Sequence, residues 1–341
     1  MRAPQMHRIV FFGMDGVYAT TPLKALVKSG LVPSLVVVGR ERERRNLRGS
    51  TRIRPARPGV LDRLQAKLTS QGDEVSDLVA VAHAFGIDVV DTNSANEGKA
   101  AAAIRDAKPD AYVVAGFPHL ISAPLLSAAR LGGVNVHPGK LPEERGPAPL
   151  FWALAEGQSE ITVTVHVLDA GEDSGDVVST TEVPIEPGVT GHELLLHLAN
   201  AATPHVLRAV RGLLAGDLVR HPQPTTTALR RYRPHFRDGR LDPTKSARAV
   251  YTFVAALADR YSLFAECGGD RFFIQRAVSY DEDARCDFEF VLTGDRLILR
   301  CEPGVVELEL KEDGALFTAE YVETEEELQR ALPMPGRIDV S

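Results

Sequence analysis

The chain is poor in cysteine: its 341 residues hold three, Cys267, Cys286 and Cys301, all late and widely spaced. No C-x-x-C pair occurs, which argues against a zinc site or a disulfide framework, and the odd count fits a reducing compartment. No metal site is expected. No apolar run approaches the roughly 18 residues of a membrane span, and the first ten residues lack the apolar core of a signal peptide. A cytoplasmic protein with no membrane contact is the expectation. The segment Gly13-Met14-Asp15-Gly16 lacks the G-x-G-x-x-G spacing, and no G-x-x-x-x-G-K-[ST] occurs, which speaks against a dinucleotide or P-loop nucleotide site. There is no internal repeat and no low-complexity tract. What remains is an ordinary globular composition, 44% hydrophobic and 25% charged, in a chain long enough for one large domain and a smaller one.

Charge is unevenly spread behind a formal net value of -7. Between Gly39 and Gly59 there are eight arginines against two glutamates, and from Lys245 onward 20 acidic residues against 11 basic ones. A polyanion would therefore be met by the front of the chain and repelled by the back. For the arginine segment, gripping a diphosphate, gripping a polycarboxylate tail, or lying as a solvated loop all stay open.

Strand and helix signals alternate, the pattern of an α/β sheet. RIVFFG (8–13), SLVVVG (34–39), IDVVDT (87–92), AYVVAG (111–116) and GVNVHP (133–138) read as the parallel strands. Between them fall a helix through Pro22 to Ser29 and a helix pair near 60–70 and 76–85. ITVTVHVLD (161–169) and GDVVSTTEVPI (175–185) alternate with β-branched residues, as longer strands do, and a helix follows from Gly191 to Leu214. The composition then shifts to Pro, Thr and Arg. The predicted organisation is a catalytic domain over 7–220, a linker over 221–244, a domain of one helix and short strands over 245–322, and an acidic tail over 323–341. The short strands joined by Gly and Asp turns suggest a small β-barrel or a curled sheet.

Two clusters carry chemistry. Asn135 and His137 lie two apart on a strand, so both side chains leave one face, at the carboxyl end where open α/β sheets place ligands. The Pro/Gly loop after them lets a substrate approach the backbone closely. The plain alternative is a turn-capping Asn135 and a hydrogen-bonded core His137. The second cluster, HVLDAGEDSGDVV (166–178), sets His166, Asp169, Glu172, Asp173 and Asp176 around a Gly-containing turn. It reads as a carboxylate near an imidazole or as a solvated acidic hairpin. A calcium loop fails on the oxygen spacing.

Together the clusters are far more specific. The run N-x-H-P-x-x-L-P-x-x-R-G-x-x-P, then W-A-L-x-x-G, then H-x-x-D-x-G-x-D-x-G-D resembles the 10-formyltetrahydrofolate-dependent formyltransferases. The likeness extends over most of Arg8 to Leu214. The segment DGRLDPTKSARAVYTFVAALADRYSLFAECGGDRFFIQRA is similar to the carboxy-terminal domain of the methionyl-tRNA and sugar-amine members. Met14-Asp15-Gly16 departs from their commoner Gly-Thr-Pro, a change in the floor of the acceptor site.

The resemblance implies a Rossmann-like domain with a mostly parallel sheet, then a small β-barrel-like (OB-like) domain. It implies a catalytic trio of Asn135, His137 and Asp173, acting through a tetrahedral intermediate. Amide and imidazolium N–H groups would hold the oxyanion, while Asp173 raises the His137 pKa and takes the amine's proton, directly or through water. The donor, 10-formyltetrahydrofolate, would lie against Phe117, His119, Leu120, Ile121, Leu168 and Asp169. The acceptor would meet Met14, Asp15, Gly139, Lys140 and Arg145. A small-molecule amine is the leading acceptor, a nucleotide-linked amino sugar among the candidates. Methionyl-tRNA is the runner-up, favoured by the arginine segment and opposed by the acidic end. Hydrolysis of formyl-folate is a further alternative, and a binder with a retired site is disfavoured by the intact trio. No role for DNA is expected, and a homodimer through the small late domain stays open.

Overall fold

In the computed structural model the described residues are 7–40, 51–56, 77–224 and 230–311. The predicted helix near 60–70, most of the arginine segment and the acidic tail lie outside them. The chain opens with β1 (Ile9–Gly13), α1 (Val17–Lys28), β2 (Leu35–Gly39), β3 (Thr51–Arg54) and α2 (Leu78–Ala84). It continues through β4 (Asp88–Thr92), α3 (Gly98–Asp106), β5 (Ala111–Ala115), α4 (Ala123–Leu126), β6 (Gly133–His137) and α5 (Pro149–Ala155). Then come β7 (Glu160–Val167), β8 (Val177–Pro184) and α6 (Gly191–Ala215). The eight strands form one sheet in the order β3-β4-β2-β1-β5-β6-β7-β8. The inner pairs β2–β4, β1–β2, β1–β5 and β5–β6 are parallel, while β3–β4 and β6–β7 run antiparallel. β1, β2 and β5 are buried at every position, which is why they read as unbroken apolar runs.

Val10, Phe12, Val37, Val90 and Val114 form a core cluster with Ala100, Ile104, Ile121 and Leu125. Each of its valine, leucine, isoleucine and phenylalanine side chains taken from water adds roughly 1.5–3 kcal/mol. Tyr112 is fully buried in this cluster, and its hydroxyl donates to the Leu125 carbonyl at 2.9 Å.

β3 is a departure from the sequence reading, which left this stretch inside an arginine-rich loop. Its T-R-I-R sequence has no apolar face. Cross-strand partners hold it instead: Thr51 and Thr92 hydroxyls lie 2.9 Å apart, and Arg54 reaches Asp91 at 3.0 Å. Polar and charged pairs of this kind stabilise antiparallel edges without any hydrophobic alternation.

The last elements are α7 (Ala247–Leu257), β9 (Phe264–Cys267), β10 (Asp270–Asp281), β11 (Phe290–Thr293), β12 (Arg296–Arg300) and β13 (Val305–Leu310). Ser246 caps α7 by accepting from the Ala249 N–H at 3.2 Å. The five strands form an antiparallel sheet in the order β11-β12-β13-β10-β9. Register shifts in the long β10 bend it against β13, and the result is a half-barrel. By contacts the chain divides into two compact units. One takes the described residues up to Arg145, Thr162–Val183 and Leu195–Arg230. The other takes Gly146–Ile161, Pro184–Leu194 and those from Arg231 onward.

Candidate active site

β1 is the strand at which the sheet changes direction: β2 and β4 lie to one side of it, β5 and β6 to the other. In open α/β sheets the ligand crevice opens beside the carboxyl ends at such a switch point. Asn135 and His137 end β6 two strands away, and antiparallel pairing sets Asn135 opposite His166 and His137 opposite Thr164 on β7.

Hydrogen-bond partners fix the state of each ring. His137 is buried, 5% exposed, and its Nε2 lies 2.7 Å from the Glu144 carbonyl oxygen. A carbonyl only accepts, so Nε2 carries the hydrogen and Nδ1 is the atom left for chemistry. His166, also buried, donates from Nδ1 to the Val167 carbonyl at 2.9 Å. Its Nε2 therefore accepts, and Asn135 Nδ2 donates to it at 3.0 Å. The second Asn135 N–H points at Asp173 Oδ1, 3.2 Å away. Asp173 Oδ2 lies 3.5 Å from His137 Nδ1, a charge contact longer than a direct hydrogen bond. Its Oδ1 lies 3.4 Å from His166 Nε2.

Burial lowers the His137 pKa below the ordinary imidazole value, outweighing the negative charge of Asp173, which acts to raise it; His166 nearby lowers it further. Asp173 pushes in the expected direction, but desolvation dominates. Burial thus favours the neutral form of the imidazole.

Asp173 sits in a left-handed backbone conformation, φ 51°, which costs a non-glycine residue roughly 1–2 kcal/mol. Its loop is tightly braced. Asp169 accepts from the Gly171 N–H at 3.1 Å and from the Ser174 hydroxyl at 2.8 Å, so its carboxylate closes the turn. A Cβ on Gly175 would fall 1.9 Å from the Val167 carbonyl oxygen. Gln223 donates from Nε2 to the carbonyls of Asp173 (2.9 Å) and Gly175 (2.7 Å).

The remaining candidate residues fall into separate groups. Phe117 packs edge-on against Phe12 and His119, with ring centroids 5.3 and 5.6 Å apart. Ile121 is buried in the core, Leu168 packs against the same cluster, and Leu120 is 58% exposed. His119 Nε2 donates to the Arg40 carbonyl at 3.0 Å. This loop lies across the end of β2, where a Cβ on Gly39 would come within 2.5 Å of Pro118. Asp15 follows β1; its carboxylate accepts from the Leu78 N–H at 2.9 Å and pairs with Arg40, which also reaches Asp91 at 2.9 Å. Met14 beside it is half-buried. Gly139 accepts the Thr164 hydroxyl at 2.7 Å, while Lys140 is exposed, 4.0 Å from Glu143. Arg145 donates to Gln223 Oε1 from Nε (3.0 Å) and Nη2 (2.6 Å). Asn135, His137 and Asp173 thus meet at one point, and the other candidates make their contacts outside it.

Sequence reasoning gave no role to Glu144 or Gln223 and none in the trio to His166. The register that sets His166 opposite Asn135 had no local signal. Gln223 stands in a stretch with no periodicity at all. Among the described residues no group of three or more His, Cys, Asp or Glu is placed to hold a metal ion.

An amide donor, a buried imidazole held at Nε2 by a carbonyl and a carboxylate facing its Nδ1, beside the carboxyl ends of a mostly parallel sheet, suit acid–base group transfer. The chain belongs to the formyl transferase family, whose sequence profile matches residues 7–210. Two relatives are methionyl-tRNA formyltransferases. That of Anaeromyxobacter dehalogenans strain 2CP-1 is 33% identical over 243 residues, 71% of this chain and 70% of its own length. That of Anaeromyxobacter sp. strain K is 37% identical over 171 residues, 50% of this chain, and the match spans 55% of its length. Among solved structures, the N-formyltransferase from Helicobacter canadensis in complex with folinic acid and dTDP-3-aminofucose shares the fold, with a TM-score of 0.60 at 12% identity. The alignment covers 90% of this chain and 100% of that one.

Proposed function

We propose that this protein transfers a formyl group from 10-formyltetrahydrofolate to the primary amine of a small-molecule acceptor. The convergence of Asn135, His137 and Asp173 in a chain of this family carries the reading. The donor supplies an activated formyl carbon on a nitrogen leaving group, and the chain's residues manage protons and charge around it. Asn135 exchanges its contact with Asp173 for the formyl oxygen, as an oxyanion donor. The bare Nδ1 of His137 takes the proton that the attacking amine sheds. Asp173, 3.5 Å away, balances the imidazolium so formed, and the same proton passes to the departing nitrogen. One amine N–H and one formyl C–N bond break; one C–N and one N–H form. The exposed Leu120 and half-buried Phe117 and Leu168 offer the apolar wall for the pterin, and the Asp15–Arg40 pair flanks the acceptor. We assign the transferase domain to residues 7–220 and a family-type C-terminal domain to 245–322.

The acceptor assignment rests on charge. Twenty acidic residues against 11 basic ones from Lys245 onward oppose a polyanionic substrate. A second reading, methionyl-tRNA as acceptor, is favoured by the names of the relatives and by five arginines between Arg230 and Arg240. Three of those, Arg230, Arg231 and Arg240, are paired with Glu172, Glu156 and Glu266. Filter binding of initiator tRNA at low and moderate salt separates the two. No measurable binding is expected, and tight binding that falls log-linearly with salt would establish the second reading.

A further inference from the structure

The segment just beyond α6 makes an unusual set of contacts. His221 pairs with Val177 through two backbone hydrogen bonds of 2.8 Å, laying the segment antiparallel to the start of β8. Two residues on, Gln223 reaches under the 169–176 loop. Both its N–H groups end on backbone carbonyls, those of Asp173 and Gly175. Its oxygen accepts two N–H groups from Arg145. Arginine only donates and carbonyls only accept, so the amide cannot flip without reversing four hydrogen bonds.

We propose that Gln223 is a positioning residue for the reaction, holding the left-handed backbone of Asp173 so that its carboxylate faces Asn135 and His137. The proposal rests on the formyl-transfer reading for its catalytic meaning and on the geometry for its existence. A left-handed aspartate is held only where its surroundings over-determine it. Side chains brace the rest of the loop: Asp169 binds Gly171 and Ser174, and Glu172 pairs with Arg230. The Asp173 carbonyl itself accepts from Gln223. Released, residue 173 would rotate toward the right-handed or extended region and carry its carboxylate away from both partners. Arg145 acts one step further out, fixing which end of the Gln223 amide meets the loop.

Two variants separate positioning from a mere tie. Gln223→Met removes donors and acceptors at similar volume. Gln223→Glu keeps a strong contact to the Arg145 fork but cannot donate to the two carbonyls. A structural tie survives in Gln223→Glu; a positioning role survives in neither. Both are expected to fold, to lose about 10- to 100-fold in kcat, the range for a catalytic group displaced by about an ångström, and to change either substrate's KM little. A readout without acceptor or folate is the His137 ring titration by NMR in the intact protein. The charged and titratable groups facing that ring are Asp173, His166 and Glu144. Withdrawal of Asp173 in Gln223→Met should move the midpoint to lower pH. An unmoved midpoint, kcat within about threefold of the parent in either variant, or loss of fold in both would overturn the proposal. If the parent protein transfers formyl to no amine, the formyl-transfer reading fails, while the titration still decides the positioning role.

Discussion

Asp173→Asn removes the charge that faces His137 and leaves the side chain's shape. In the parent protein burial pulls the imidazole pKa down and Asp173 is the largest influence pushing it up. With Oδ2 3.5 Å from Nδ1, Coulomb's law at an effective dielectric of about 20–80 gives roughly 1–5 kcal/mol. That corresponds to about one to three and a half pH units on His137. The side chains are 6% and 14% exposed, so screening by solvent is incomplete and a shift of at least about one unit is expected. His137 acts in its neutral form, which predominates above its pKa. The acid limb of kcat/KM should therefore lie below the ordinary imidazole range in the parent protein and move lower still in the variant. Turnover should meanwhile fall by about 10²–10⁴-fold, as for a lost acid–base partner. Ring-labelled histidine titrated between about pH 4 and 8, with His137→Gln to assign the resonance, gives the midpoint directly. A midpoint that stays put or rises in Asp173→Asn would refute the electrostatic reasoning, whatever happened to the rate.

Other outcomes follow from the same contacts. His137→Ala should cost about 10²–10⁴-fold in kcat and Asn135→Ala the lower half of that range, measured by tetrahydrofolate release. Gly175→Ala should destabilise by about 1–3 kcal/mol in urea unfolding, because its Cβ would meet the Val167 carbonyl. Asp15→Ala, which frees Arg40 from one carboxylate, should raise the acceptor's KM and leave the folate's nearly unchanged. Equal effects on both substrates would remove Asp15 from the acceptor side.

Much of the site was legible because its residues sit on regular elements. Asn135 and His137 announce a shared face by their spacing alone, and the end of a buried strand locates them in the fold. Asp173 was singled out only by the resemblance that the combined motifs carry, since one aspartate among the four carboxylates of an acidic hairpin carries no signal of its own. The apolar runs of β1, β2 and β5 marked the parallel centre of the sheet for the same reason they fold there. What stayed hidden depends on contacts distant in sequence. His166 reaches Asn135 only through the β6–β7 register, Glu144 contributes a backbone carbonyl, and Gln223 works from an aperiodic segment 50 residues beyond Asp173. β3 escaped because arginine and threonine pairs, rather than an apolar stripe, hold it to β4. That burial outweighs Asp173 at His137 was not legible, because the depth of burial is a property of the packed fold.

The most direct measurement of the central claim is release of tetrahydrofolate from 10-formyltetrahydrofolate by the purified protein against a panel of amines, amino sugars and their nucleotide-linked forms included. The parent protein should release it only when a suitable amine is present, with one formylated amine formed per tetrahydrofolate, and His137→Ala should slow the reaction by about 10²–10⁴-fold. Release at the same rate without any amine, or release in His137→Ala within a few-fold of the parent rate, would contradict the account.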